Sequence, residues 1–101
     1  MKLLLITAVK EFEKDIKQLL KKSGVQSFSY QDVKGFKNSS EEAVDTNWFG
    51  SEMNETQSVL FHVFIATEKL DVFCQFVKEF NTIQESKSTI HVAVLNIEKT
   101  N

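Results

Sequence analysis

The sequence predicts one α+β domain whose elements run strand, helix, strand, strand, helix, strand. Three observations predict it. Two short runs, Leu3 to Val9 and Val59 to Ala66, are dense in Leu, Ile, Val and Phe and have the length of strands buried on both faces. Each passes into a segment whose apolar residues recur at helical spacing. The remaining apolar material lies in two further strand-length stretches, Val25 to Phe36 and Ile90 to Ile97.

Taken in order, Leu3 to Val9 is flanked by Lys2 and Lys10 and reads as a central strand. Its start, Met1 to Ile6, has the look of a leader peptide, but the apolar run stops at Thr7-Ala8-Val9-Lys10, so the strand reading is preferred. From Glu11 to Ser23, Phe12, Ile16, Leu19 and Leu20 make one helical face, with acids at the start and Lys21-Lys22 near the end, as the helix dipole favours. Gly24 is a natural stop. Val25 to Phe36 carries Phe28, Tyr30 and Val33 among serines and charges, which suits a strand near the sheet edge. Lys37 to Gln57 is polar and is interrupted by Trp48-Phe49-Gly50, so a long loop of about 37–58 is expected, and loops of that length tend to carry function. Val59 to Ala66 is a second central strand. Thr67 stands where it can cap the next helix, along which Leu70, Phe73, Cys74, Val77 and Phe80 keep one face apolar. A polar break, Gln84 to Ser88, precedes the last strand.

Right-handed crossovers then give a four-stranded antiparallel sheet with both helices on one face, the ferredoxin-like βαββαβ arrangement, as a single domain over 1–101. Along the third strand Val59, Phe61, Val63 and Ile65 fall on one side, and Leu60, His62 and Phe64 on the other. Neither side is polar enough for open water, so the uncovered face is expected to be buried in a homo-oligomer.

Composition narrows the function. Net charge is −2 with both signs interspersed, which leaves no broad basic face for nucleic acid. All 12 basic residues are lysine, so the planar two-pronged grip of arginine on phosphate or carboxylate is missing. Cys74 is the one cysteine, cannot form an internal disulfide, and fits a reducing cytoplasm. No stretch approaches the roughly 20 apolar residues that cross a bilayer, so no membrane insertion is expected. Enzyme readings lack their parts: an acylphosphatase-like site needs an arginine, Cys74 is expected to be buried, and the acids Glu41, Glu42, Asp45 and Glu52 lie in the polar loop without an apolar wall. A non-enzymatic protein is expected.

Leu3 to Val9, the phrase Gly24-Val25-Gln26-Ser27, and above all Asp32-Val33-Lys34-Gly35-Phe36 resemble the PII-like signal-transduction proteins, whose flexible T-loop begins with a similar Val-Lys-Gly-Phe phrase. The run Val63 to Cys74 falls where that family has its third strand and second helix. The resemblance implies a trimeric regulator that responds to a ligand in a cleft between subunits and acts on a partner, a membrane transporter among the candidates. Departures are plain. The family's glycine-rich phosphate loop corresponds to Gln84-Glu85-Ser86-Lys87-Ser88, which has no glycine, the C-terminal arginines are absent, and no tyrosine matches the modified one, since Tyr30 lies in the second strand. No cofactor is therefore assigned, with an adenine nucleotide or a divalent metal as the open choices.

The candidate ligand residues that the resemblance implies are Lys34, Gly35 and Phe36, with Lys87. Gly35 either admits a ligand close to the backbone or only permits a turn, and Lys34 is either a ligand contact or a solvated edge charge. Trp48 and Phe49, which burial would favour by roughly 2 kcal/mol or more each, are either a docking tip for a partner or are packed within the oligomer. His62 and His91, with Cys74, Met53 and the loop acids, are the material for a metal-responsive alternative linked to metal transport. Their spacing gives it no support, and satisfied core or interface histidines are the plainer reading. A constitutive oligomeric interaction module is the other alternative.

Overall fold

The computed structural model describes residues 1–36, 55–84 and 88–101. Its elements are β1 (Lys2–Val9), a short 3-10 turn (Lys10–Phe12), α1 (Glu13–Lys22), β2 (Ser29–Phe36), β3 (Glu55–Ile65), α2 (Thr67–Ile83) and β4 (His91–Asn96). The strands form one antiparallel sheet in the order β2-β3-β1-β4, so the two apolar runs are central and the two mixed ones are edges. This is the ferredoxin-like arrangement expected from the sequence.

The core lies between the sheet and the helices. Leu4, Ile6 and Ala8 of β1 and Val59, Phe61, Val63 and Ile65 of β3 meet Ile16 and Leu20 of α1 and Phe73 and Val77 of α2 in one buried cluster. The period of two along the strands and the helical period in α1 and α2 converge on it. Phe61 is its aromatic centre, with ring centroids of Phe28 at 5.5 Å and Tyr30 at 5.1 Å, and Phe12 meets Phe80 edge-on at 5.2 Å.

The ends of the elements follow local chemistry. Helix α1 closes in a Schellman motif: Val25 N–H donates to the Leu20 carbonyl and Gly24 N–H to that of Lys21, with Gly24 at a φ of +86° that disfavours any side chain. Lys69 Nζ of α2 then donates to the Gly24 carbonyl at 2.8 Å, joining the two helices at that end. Between α2 and β4, the Asn81 side chain imitates a strand: it donates to the Ile90 carbonyl at 2.9 Å and accepts from the Ile90 N–H at 2.8 Å.

Four expectations are corrected. Thr67 is inside α2 rather than its cap; Ala66 holds the cap position without a side-chain bond, and its carbonyl accepts from the N–H groups of Lys69 and Leu70. Cys74 is half-buried rather than buried, because it sits at the flank of the stripe made by Phe73 and Val77. Residues 55–58, expected within the long loop, pair with 33–36 as the start of β3. Their polarity hid them, but a strand paired to an edge strand near the sheet end needs no apolar run. Finally, Gly35 is an interior residue of β2 opposite Thr56 and has no positive φ, so it does not serve a turn.

Candidate functional site

The hairpin-like pairing of β2 with β3 fixes the site. Register sets Lys34 opposite Gln57, Gly35 opposite Thr56 and Phe36 opposite Glu55. Gly35 is buried, whereas Lys34 and Phe36 are exposed. Beside them is a depression of about 260 Å³ lined by Lys10, Asp32, Val33, Lys34, Gln57 and Ser58. Its contributors come from the end of β1, the second half of β2 and the first half of β3.

An ion-pair network holds one wall. Lys10 Nζ donates to the Glu13 carboxylate at 2.7 Å and to the Asp32 carboxylate. Lys17 Nζ donates to Glu13 at 3.1 Å and to the Tyr30 hydroxyl oxygen at 2.9 Å, lying 4.1 Å from the centre of the Tyr30 ring. The first turn of α1 is thereby tied to the outer edge of the sheet through charge. Donation to Asp32, then to Glu13, raises the Lys10 ammonium above its ordinary range, and the hydrogen bonds that Glu13 accepts from Lys10, then Lys17, lower its carboxyl. The bond to Tyr30 and then that to Glu13 raise Lys17. Lys34 makes no ion pair with any described residue.

Of the residues singled out from the sequence, Lys34 lines the depression, with Gly35 and Phe36 next to it in β2. Lys87, Trp48 and Phe49 lie outside the described residues, as do Met53 and the acids Glu41, Glu42, Asp45 and Glu52. His62 and His91 share the uncovered face of the sheet, but β1 runs between their strands and they stand opposite different residues of it, Leu5 and Thr7. His91 Nε2 is 3.3 Å from Thr89 Oγ1. Among the described residues no three His, Cys, Asp or Glu come together as a metal site would require. Burial, and then the charge of Asp71, push the Cys74 thiol up, away from nucleophilic use.

Lys10, Gln57 and Ser58 line the depression and are not identified by the sequence reading, and Asp32 enters that reading only within a phrase. The signal that finds them is the register: once Val33 faces Ser58 and Lys34 faces Gln57, the end of β1 and its Lys10 close the same corner.

No protein-family model matches the chain, and no curated protein matches it in sequence. Solved structures do. A DUF3240 family protein from Shewanella baltica OS155 superimposes with a TM-score of 0.67 at 13% identity, over 99% of this chain and 92% of that one. CPII, a nitrogen regulatory PII-like protein from Thiomonas intermedia K12 whose structure holds ADP, AMP and bicarbonate, gives 0.63 at 11% identity, over 99% and 94%. A protein of Thermus thermophilus named as a PII-like signalling protein gives 0.58 at 15%, over 93% and 84%. The resemblance carried by Asp32 to Phe36 is thus met by the architecture of almost the whole chain, which has the fold of the PII-like proteins.

Proposed function

We propose that this chain is a PII-like regulatory protein that catalyses nothing itself and transmits the occupancy of a ligand site to a partner protein. The observation that carries the reading is the depression beside Lys34 at the root of the β2–β3 pair, on a fold shared with a PII-like protein bound to ADP, AMP and bicarbonate. An adenine nucleotide is the first ligand class to test. With no glycine in 84–88, phosphate recognition would rest on lysine side chains, Lys10 and Lys34 with Lys87, more than on a backbone cradle. Gly35 and Phe36 would border the ligand, and Trp48 and Phe49 would meet the partner, with a membrane transporter as one candidate. The ligand acts by binding one arrangement of the segment after Phe36 more tightly than another.

A cytoplasmic homo-oligomer, with the trimer as the expected form, belongs to the same reading. It is supported by the uncovered sheet face, where Phe64 and Leu95 are exposed and Leu3, Leu5 and Leu60 half-buried. No helix among the described residues is long and apolar enough to cross a membrane. That same apolar face favours a second reading, an oligomeric module fastened permanently to one partner.

Thermal denaturation of the purified protein, with its oligomeric mass measured, against ATP, ADP, AMP, cyclic nucleotides, bicarbonate and divalent metals separates the readings. A saturable rise with one nucleotide or with bicarbonate supports the sensor and names its signal. A rise with a metal alone favours the metal-responsive alternative. A stable oligomer that responds to none of them favours the permanent module.

A further inference from the structure

The depression contains its own competitor for an anion. Its cations are Lys10 and Lys34, and its hydrogen-bonding neutral groups are Gln57 and Ser58, whereas Asp32 is the one carboxylate in the lining. Asp32 holds Lys10, which a negatively charged ligand would need. Lys10 is also held by Glu13, and the two carboxylates differ in kind: the Glu13 side chain is 21% exposed and is shared with Lys17, whereas that of Asp32 is 70% exposed. Glu13 is the fixed anchor. Asp32 is the partner that water can replace at little cost, since exposed ion pairs are weak.

We propose that the Lys10–Asp32 pair is a latch that a phosphate-class oxyanion, either free or as the terminal group of a nucleotide, opens by taking the place of the Asp32 carboxylate. The inference rests on the ligand-site reading above and specifies how the site is held when empty. Lys10 stays aimed by Glu13, the incoming oxyanion accepts from Lys10 and from Lys34, and Asp32 turns to solvent. Occupancy thereby replaces a contact between the β1–α1 junction and Asp32 by one that runs through the ligand to Lys34, two residues nearer the end of β2. Asp32 acts as a built-in inhibitor of anion binding, by occupying Lys10 and by repelling the ligand's charge.

The test is calorimetric titration of the full chain with inorganic phosphate and, separately, with ADP, at low ionic strength and neutral pH, for wild type, Asp32→Asn, Lys10→Gln and Lys34→Gln. Urea unfolding of each variant serves as the control for folding. The latch predicts that Asp32→Asn binds about tenfold more tightly than wild type, and that Lys10→Gln and Lys34→Gln bind at least tenfold more weakly. Tightening for phosphate as well as ADP assigns the site to the free oxyanion, and tightening for ADP alone assigns it to the nucleotide's terminal group. Carbon-detected NMR of the Asp32 carboxylate in wild type gives an independent readout, because its signal must move toward that of an unpaired carboxylate as the site fills. Binding by wild type that Asp32→Asn leaves unchanged or weakens overturns the latch while leaving the ligand site standing. Failure of wild type and all variants to bind either probe overturns both.

Discussion

The two faces of the sheet obey the same alternation and end in opposite conditions. On the helix side Leu4, Ile6, Val59, Phe61 and Val63 are sealed from water, whereas on the other side Phe64 is 59% exposed and Leu95 40%. Chemically the two sets differ little. The difference lies in what covers them: α1 and α2 lie on one face, and no described element lies on the other. An antiparallel sheet that leaves one face to water usually makes it polar. This one keeps Leu3, Leu5, Leu60, Phe64 and Leu95 there, the face that the proposed oligomer would cover.

The largest effect separating the faces should come from Phe61. Phe61→Ala removes the ring on which Phe28 and Tyr30 pack and should cost about 3–5 kcal/mol in urea unfolding, whatever the oligomeric state. Phe64→Ala is the matching test on the other face. In an isolated monomer its cost should stay within about 0.5 kcal/mol. In the expected oligomer it should cost about 2 kcal/mol or more, depend on protein concentration, and lower the mass seen in sedimentation. An unchanged mass and a negligible cost would break the comparison and leave the face genuinely open.

Legibility follows the same divide. The element order, the central positions of β1 and β3 and the Gly24 stop are visible in the sequence because each rests on local pattern: strand-length apolar runs, helical spacing, a glycine at a left-handed cap. Residues 55–58 were not visible as strand because Glu55, Thr56, Gln57 and Ser58 carry no apolar signal and pair through the backbone. The site was half legible. Lys34 stands out through its resemblance phrase, but Lys10, Gln57 and Ser58 reach the depression only through strand register, which no single-sequence pattern encodes. The Lys10–Asp32 pair joins residues 22 apart and is likewise a product of the fold.

A smaller effect sharpens the comparison at the polar end of the uncovered face. Thr7 lies between Leu60 and His91 in the register, is buried, and its Oγ1 has no hydrogen-bond partner among the described residues. A buried hydroxyl left unpaired costs about 1–3 kcal/mol, so Thr7→Val should stabilise the protein, by about 1 kcal/mol. Urea unfolding at two protein concentrations checks it. A loss of stability instead, larger at high concentration, would mean that the hydroxyl finds its partner in a neighbouring copy.

The smallest effect expected concerns charge rather than burial. Lys10 and then Lys17 hold the Glu13 carboxyl below its ordinary value of 4.5, so the unfolded chain binds that proton more readily than the folded one. The stability this gives is fully present above pH 4.5 and is lost as the pH falls from there through the folded value. Lys10 and Lys17 have the opposite sign: both are raised above 10.5, so their contribution is present below pH 10.5 and is lost as the pH rises through their folded values. Glu13→Gln should therefore flatten the acid limb of the stability curve below pH 4.5 and soften the alkaline one, leaving the slope between them unchanged. The change should be small, since water and salt still reach these half-buried groups. Identical acid limbs in wild type and Glu13→Gln would mean that the first turn of α1 is held by Phe12 and Ile16 alone, and that Lys10 lacks the fixed anchor that distinguishes Glu13 from Asp32.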